Sequence, residues 1–226
     1  MRALWKPAMR LNYHLSSRSR QIKLNLFWHL MAPQPGCSVL NLGAGPPHLS
    51  RTLLGENSSE LIEQPEQDPR WGSLRVIGAD LNQEGLREYS RLYKDRGISA
   101  VILNGCRLPF RDQSIDIIFS NAVIEHLTPE DQKCMANEIM RVARRWFVTT
   151  PNFWYPIELH NKLPLIQFLP RRARLTIEEK LGTYPVAEPL NLLTAKELAR
   201  LLPGSVIRKV RVTFYPETLI AYKNAS

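Results

Sequence analysis

The sequence lacks any run approaching the roughly 20 consecutive apolar residues that a bilayer span requires. Its basic start, MRALWKPAMR, passes into polar LNYHLSSRSR where a signal peptide carries its apolar core, so a cytoplasmic protein is expected. Cysteine is scarce. Cys37, Cys106 and Cys134 are odd in number, widely spaced and free of CxxC or Cys/His ligand spacing, which argues against a disulfide framework or a metal site and for buried reduced thiols. The absence of a GxxxxGKS/T run argues against a nucleotide triphosphatase. Acidic residues are missing from positions 1 to 55, which hold Arg2, Lys6, Arg10, Arg18, Arg20, Lys23 and Arg51. Within a net charge of +9, that asymmetry admits a polyanion, an anionic membrane surface or an acidic substrate as partner, beside the plainer reading of a solvated basic face.

What is present fits one sizeable core: 226 residues, 44% hydrophobic and 23% charged. Residues 1 to 35 read as a basic helical extension, with Ile22, Leu26, Phe27 and Leu30 at helical spacing before MAPQPG breaks the pattern. From residue 36 onward, short β-branched or Leu-rich runs alternate with helical patterns, the signature of a parallel sheet flanked by helices. The strand candidates are CSVLNL, SLRVIGA, ISAVIL, SIDIIFSN, RWFVTT, SVIRKVRVTF and ETLIAYK. Helices are expected near His48 to Leu54, Gln83 to Asp95, Pro129 to Val142 and Ala195 to Leu202, the last opened by a capping box of Thr194 and Glu197. Only Tyr215 and Pro216 separate the final two strand candidates, too few for a crossover, so they are expected to form an antiparallel hairpin. Two stretches interrupt the alternation. Residues 55 to 73 are polar and acidic and read as a surface insertion; residues 151 to 193, rich in Pro, aromatics and Arg, are a candidate acceptor lid.

The strand Val39-Leu-Asn41-Leu runs into Gly43-Ala44-Gly45-Pro46-Pro47-His48. A GxG after a strand serves more than one nucleotide-like ligand. A dinucleotide site wants a third glycine where His48 stands and free N–H groups for a pyrophosphate, and Pro46 and Pro47 have none to offer. An adenosine-bearing cofactor without phosphate fits better. At the end of the second strand, Asp80 can accept from both ribose hydroxyls, although an Asp in that place is often only a helix N-cap.

These residues, together with Asn104-Gly105-Cys106-Arg107-Leu-Pro-Phe110 and Ser114-Ile-Asp-Ile-Ile-Phe-Ser-Asn121-Ala-Val-Ile-Glu125-His126-Leu127, resemble the class I methyltransferases, particularly the type 11 small-molecule branch, over about residues 37 to 150. The resemblance implies an α/β, Rossmann-like fold: a mostly parallel seven-stranded sheet of order 3-2-1-4-5-7-6 with helices on both faces. It implies S-adenosyl-L-methionine as cofactor. Asn41, Gly43, Ala44 and Gly45 would lie at its methionine portion, Asp80 and Leu81 at the ribose, Asn104, Gly105 and Cys106 along the adenine, and Asn121 near the transferred methyl. Two departures stand out: Asn41 replaces the family's usual acid, and Pro47 replaces its third loop glycine.

Methyl transfer from a sulfonium is an in-line displacement, so the protein's main task is alignment in a dry pocket. A weakly acidic acceptor also needs a general base, for which His126 and His160 are the candidates, each with a structural role as the competing reading. Asp112 and Asp116 read as turn and strand-entry residues. Arg171, Arg172 and Arg174 are candidates for meeting a carboxylate or phosphate on the acceptor. The leading reading is therefore transfer to a small-molecule or lipid-like acceptor, with membrane contact through the basic amino-terminal segment as a further option. A catalytically inactive cofactor-binding scaffold is the alternative. A nucleic-acid methyltransferase is favoured by the basic composition and disfavoured by Ser120-Asn121-Ala122-Val123 where such enzymes carry an Asn/Asp-Pro-Pro-Tyr/Phe motif.

Overall fold

The computed structural model describes residues 5–45, 68–158, 163–170, 172–174, 176–177 and 190–224, with side chains from residue 18 onward. In chain order the main elements are α1 (Trp5–Met31), β1 (Ser38–Leu42), β2 (Arg75–Asp80), α2 (Gln83–Tyr93), β3 (Ser99–Ile102), β4 (Ile115–Asn121), α3 (Pro129–Val142), β5 (Ala143–Pro151), α4 (Ala195–Leu201), β6 (Val206–Val210) and β7 (Thr218–Lys223). The seven strands form one sheet of order β3-β2-β1-β4-β5-β7-β6, as the resemblance implied. The first five run parallel, and β7 is antiparallel to both β5 and β6. The hairpin expectation holds for direction but not for length. Pairing stops at Val210 and resumes at Thr218, leaving residues 211–217 as a broad loop that carries exposed Phe214 and Tyr215.

Consecutive strand residues point to opposite faces, and both faces are apolar. Leu40, Ile118, Trp146, Val148, Leu219 and Ala221 pack under α3 and α4. Val39, Ile117, Phe119, Phe147 and Ile220 pack on the opposite face, under α1 and α2. Helix starts follow local chemistry. Thr128 accepts from Asp131 N–H ahead of Pro129, Asn82 accepts from Gly85 N–H, and Thr194 and Glu197 form the capping box read from the sequence. The helix expected at His48 to Leu54 lies outside the described residues.

The amino-terminal helix belongs to the core. Its most buried residues are Phe27 and Met31, not Ile22, Leu26 and Leu30, which are only partly covered. Phe27 stacks on Trp71 at 5.3 Å between ring centroids and meets Phe119 and Phe147 edge-on at 5.2 and 5.6 Å. Trp71 corrects the reading of residues 55 to 73 as surface. Asp68 caps a short 3-10 turn whose Trp71 indole is fully buried between Phe27 of α1 and Phe119 of the sheet. Residues 55–67 of that stretch lie outside the described residues.

The basic run at the start of β5 is structural. Arg141 binds Glu138 and Asp112 and donates to the carbonyls of Phe110 and Leu108, stitching the loop that enters β4. Arg144 pairs with Asp116, and Arg145 donates to the Met31 carbonyl at the end of α1. Asp116 accepts from both the N–H and the hydroxyl of Ser38, tying the start of β1 to that of β4, a strand-entry role as expected. No helix among the described residues is long and apolar enough to cross a membrane.

Candidate cofactor and acceptor site

β1 has a parallel neighbour on each side, β2 and β4, and the connections leave it in opposite directions. That strand-order reversal opens a crevice at the carboxyl ends, where ligands bind in such sheets. Gly43 turns out of β1 with φ +83, and a Cβ there would sit 2.2 Å from Val123 Cγ2 of the turn after β4. Only glycine permits both the backbone angle and the approach. Gly45 donates its N–H to Asp80 Oδ2 at 3.0 Å, and a Cβ on Gly45 would lie 2.8 Å from that oxygen. The glycine loop and the end of β2 are thus one unit. Pro46, Pro47 and His48 lie outside the described residues.

Asp80 is not the N-cap of α2; Asn82 is. Asp80 Oδ1 accepts from Asn82 N–H at 2.8 Å, so each carboxylate oxygen uses one lone pair on the backbone and keeps another free to face the crevice. Leu81, beside it, is 63% exposed, an apolar surface presented at the same edge. Ala44 is buried, its N–H and that of Gly43 both bonded to the Ala79 carbonyl. Asn41 is buried within β1, between Gly78 and Phe119 in register, so it supplies a neutral amide rather than a charge beneath the loop.

Asn104, Gly105 and Cys106 form the loop after β3. Asn104 Oδ1 accepts from Cys106 N–H at 2.8 Å, holding the loop while leaving one lone pair. Gly105 packs against Met135 of α3, and the Cys134 thiol donates to the Cys106 carbonyl at 3.1 Å. The two cysteines far apart in sequence are therefore neighbours, both as free thiols. Burial and the nearby Cys134 push the Cys106 thiol up to about 12, so it is an unreactive wall at neutral pH.

At the end of β4, Asn121 Oδ1 accepts from Thr149 Oγ1 at 2.8 Å. The next residue, Ala122, sits at φ +57, an unusual angle for a residue with a side chain and the kind of strain that gathers at working sites. The turn Ile124–His126 follows. His126 is partly buried there, at the ligand edge; His160 lies outside the described residues.

Three-dimensional proximity adds residues that motif reading missed. Glu125 is completely buried, with Thr150 Oγ1 donating to its Oε2 at 3.1 Å. Glu217, just before β7, is also buried, at the same edge as the carboxyl end of β5. Both carboxylates act electrostatically on Lys23 of α1. The helix runs antiparallel to the strands, with Met31 at their amino ends and Lys23 toward their carboxyl ends. Desolvation and the charge of Arg20 lower the Lys23 amine to about 8, against the opposing pull of Glu125 and Glu217. An acid set among apolar residues in the turn just after β4, as Glu125 is, was the available signal; no sequence pattern connects it to Lys23.

Lys23 has a measurable signature. Between about 8, its folded value, and 10.5, its ordinary one, the unfolded chain keeps a proton that the folded chain has lost, so stability rises with pH across that window. Urea unfolding at pH 7.5 and 10 should show wild type gaining on the order of 2 kcal/mol relative to K23M. An unchanged difference would show that Lys23 titrates like a solvated amine.

Beside this edge, Phe153, Gln167, Arg174, Leu190, Asn191 and Leu192 line an open cleft of about 230 Å³. Asn191 pins one wall to the turn after β4: its N–H donates to the Glu125 carbonyl at 2.7 Å and its side-chain amide to the Leu127 carbonyl at 2.8 Å. Of the three candidate acceptor arginines, Arg174 lines the cleft, Arg172 is exposed, and Arg171 lies outside the described residues.

Residues 58–146 match a family model described as a methyltransferase domain. An uncharacterised protein of Methanocaldococcus jannaschii is 27% identical over 139 residues, 61% of this chain and 58% of that relative's length. Among solved structures, the PH0226 protein of Pyrococcus horikoshii superposes with a TM-score of 0.58 at 15% identity, covering 92% of this chain and 91% of that one. Magnesium protoporphyrin IX methyltransferase of Synechocystis, determined with bound S-adenosylhomocysteine, does so with a TM-score of 0.55 at 15% identity, covering 95% and 84%.

Proposed function

We propose that this chain is an S-adenosylmethionine-dependent methyltransferase of the class I, type 11 kind, and that it methylates a small-molecule or lipid-like acceptor bearing an anionic group; the methyltransferase-domain match and the sheet order support the reading. The observation that carries the acceptor reading is the cleft against the turn after β4. Its walls combine Phe153, Leu190 and Leu192 with the amides of Gln167 and Asn191, and its charge comes from Arg174. That combination suits a molecule with an apolar body and a carboxylate or phosphate, whose planar anion a guanidinium grips through two hydrogen bonds.

Bound at the crevice, S-adenosylmethionine supplies the electrophile, a methyl carried on a sulfonium. Asp80 accepts from the ribose hydroxyls with the lone pairs its backbone contacts leave free. Gly43, Ala44 and Gly45, with Asn41 beneath them, shape the methionine end; Leu81 stands beside Asp80 at the ribose, and Asn104, Gly105 and Cys106 border the adenine. Asn121, oriented by Thr149, faces the reacting centre from β4. The cleft holds the acceptor along the remaining direction and keeps water out of the line of displacement. Where the acceptor loses a proton on methylation, His126 or His160 takes it.

Extracts of small molecules and of lipids, incubated with the protein and S-adenosylmethionine, should release S-adenosylhomocysteine and yield a product heavier by one methyl. On that acceptor, R174A should raise KM about tenfold or more while leaving cofactor affinity unchanged. Cofactor binding with no turnover on any fraction would instead favour the scaffold reading that the neutral Asn41 invites. A methylated product whose KM ignores R174A would remove the anionic acceptor alone.

A further inference from the structure

The loops beyond the carboxyl edge expose an unusual amount of large apolar surface. Trp154 is 56% exposed and Phe214 70%, and Leu165, Phe168, Leu169 and Tyr215 are exposed as well. Single exposed hydrophobics are ordinary; these six are neighbours. The Trp154 and Phe168 rings lie 6.0 Å apart, each also against Phe153. Tyr155, next to Trp154, carries the Phe214 ring 6.1 Å away and a hydrogen bond to Thr213, so residues 153–158 and 163–169 share one outer face with the 211–217 loop.

Two further observations bear on what covers it. Leu165 holds φ +58, a left-handed angle that costs a branched-chain residue free energy, yet its side chain points to water rather than into the core. Among the described residues of these loops the exposed charges are basic. Arg172 and Arg174 stand in the first loop and Arg208, Lys209 and Arg211 lead into the second, where Glu158 and Glu217 are buried. Of these, Arg172, Arg208, Lys209 and Arg211 are exposed.

We propose that this face docks on an anionic lipid bilayer, its Trp, Phe, Tyr and Leu side chains entering the headgroup boundary while the surrounding arginines and lysine meet lipid phosphates. Aromatic rings and leucines at loop tips, rimmed by cations, match the amphipathic character of that boundary. The face flanks the acceptor cleft: Phe153 and Gln167 line the cleft, while Trp154 and Phe168, their chain neighbours, stand outside it. Docking would therefore hold the cleft mouth close to the lipid surface. The inference stands apart from the acceptor assignment, because vesicles alone test it without cofactor or acceptor.

The full-length protein is mixed with vesicles of phosphatidylcholine and with vesicles of phosphatidylcholine and phosphatidylglycerol in equal parts. It should sediment with the second and not the first, and release on raising salt. W154S/F168S/F214S should reduce that partition about tenfold or more, with an unchanged melting temperature, since the three side chains are exposed. Brominated lipid in the anionic vesicles should quench tryptophan fluorescence in wild type and in W5F, and lose that effect in W154F. Equal partition of the triple variant, absence of binding to anionic vesicles, or quenching that survives W154F and disappears in W5F would each overturn the proposal; the last would move contact to the amino-terminal helix. A dimer in solution that W154S/F168S/F214S disperses would also overturn it, making a second copy the occupant.

Discussion

Titration of D80A with S-adenosylmethionine is expected to show binding weakened about 100-fold or more, on the order of 3 kcal/mol. Two losses combine. The ribose loses a charged acceptor, and the glycine loop loses the bond that holds Gly45 N–H against the end of β2 at 3.0 Å. Asn82 N–H is released as well, loosening the start of α2. D80N separates these contributions, since the amide keeps one oxygen for the backbone but carries no charge. It should fall between wild type and D80A, near a tenfold loss. Isothermal calorimetry gives the three affinities, and equal stability of the variants in urea would assign the loss to the ligand. A D80A affinity within about threefold of wild type would place the ribose elsewhere.

The largest effect on stability is expected at Phe27. Truncation to Ala removes a fully buried ring that touches Trp71, Phe119 and Phe147, and the rigid sheet beneath it cannot collapse to fill the space. The cost should be about 3–5 kcal/mol, read as a shift in the urea midpoint without a change in slope. A smaller cost together with a reduced slope would mean that α1 detaches while the sheet remains folded. F27L, which keeps an apolar side chain of similar reach, should recover part of the loss.

Those two residues illustrate what was legible before folding was considered. Asp80 announced itself locally: it ends the apolar strand that follows a glycine turn, and the parallel arrangement of β1 and β2 places such ends together by topology alone. The sheet order likewise followed from the resemblance carried by motifs on β1, β2 and β4. Phe27 was visible only as part of an amphipathic pattern, and the stripe read from Ile22, Leu26 and Leu30 was rotated from the face that is buried. Helical periodicity marks a hydrophobic side to within about one residue's turn, and the fit to Trp71 and Phe147 decides the rest. Trp71 was hidden for a similar reason. Its polar neighbours, Asp68, Arg70 and Ser73, satisfy one another in a 3-10 turn, and nothing local reveals that the indole faces inward. The electrostatic group of Lys23, Glu125 and Glu217 joins three distant parts of the chain and has no local signature at all.

The docking of α1 also bears on biosynthesis. Phe27 emerges early, but one of its partners, Phe147, follows about 120 residues later. At 5–20 residues per second, translation leaves the apolar side of the helix uncovered for on the order of ten seconds. During that interval the nascent chain presents a basic helix with an unburied Phe–Met stripe, a form of this segment that the finished fold never shows to other molecules.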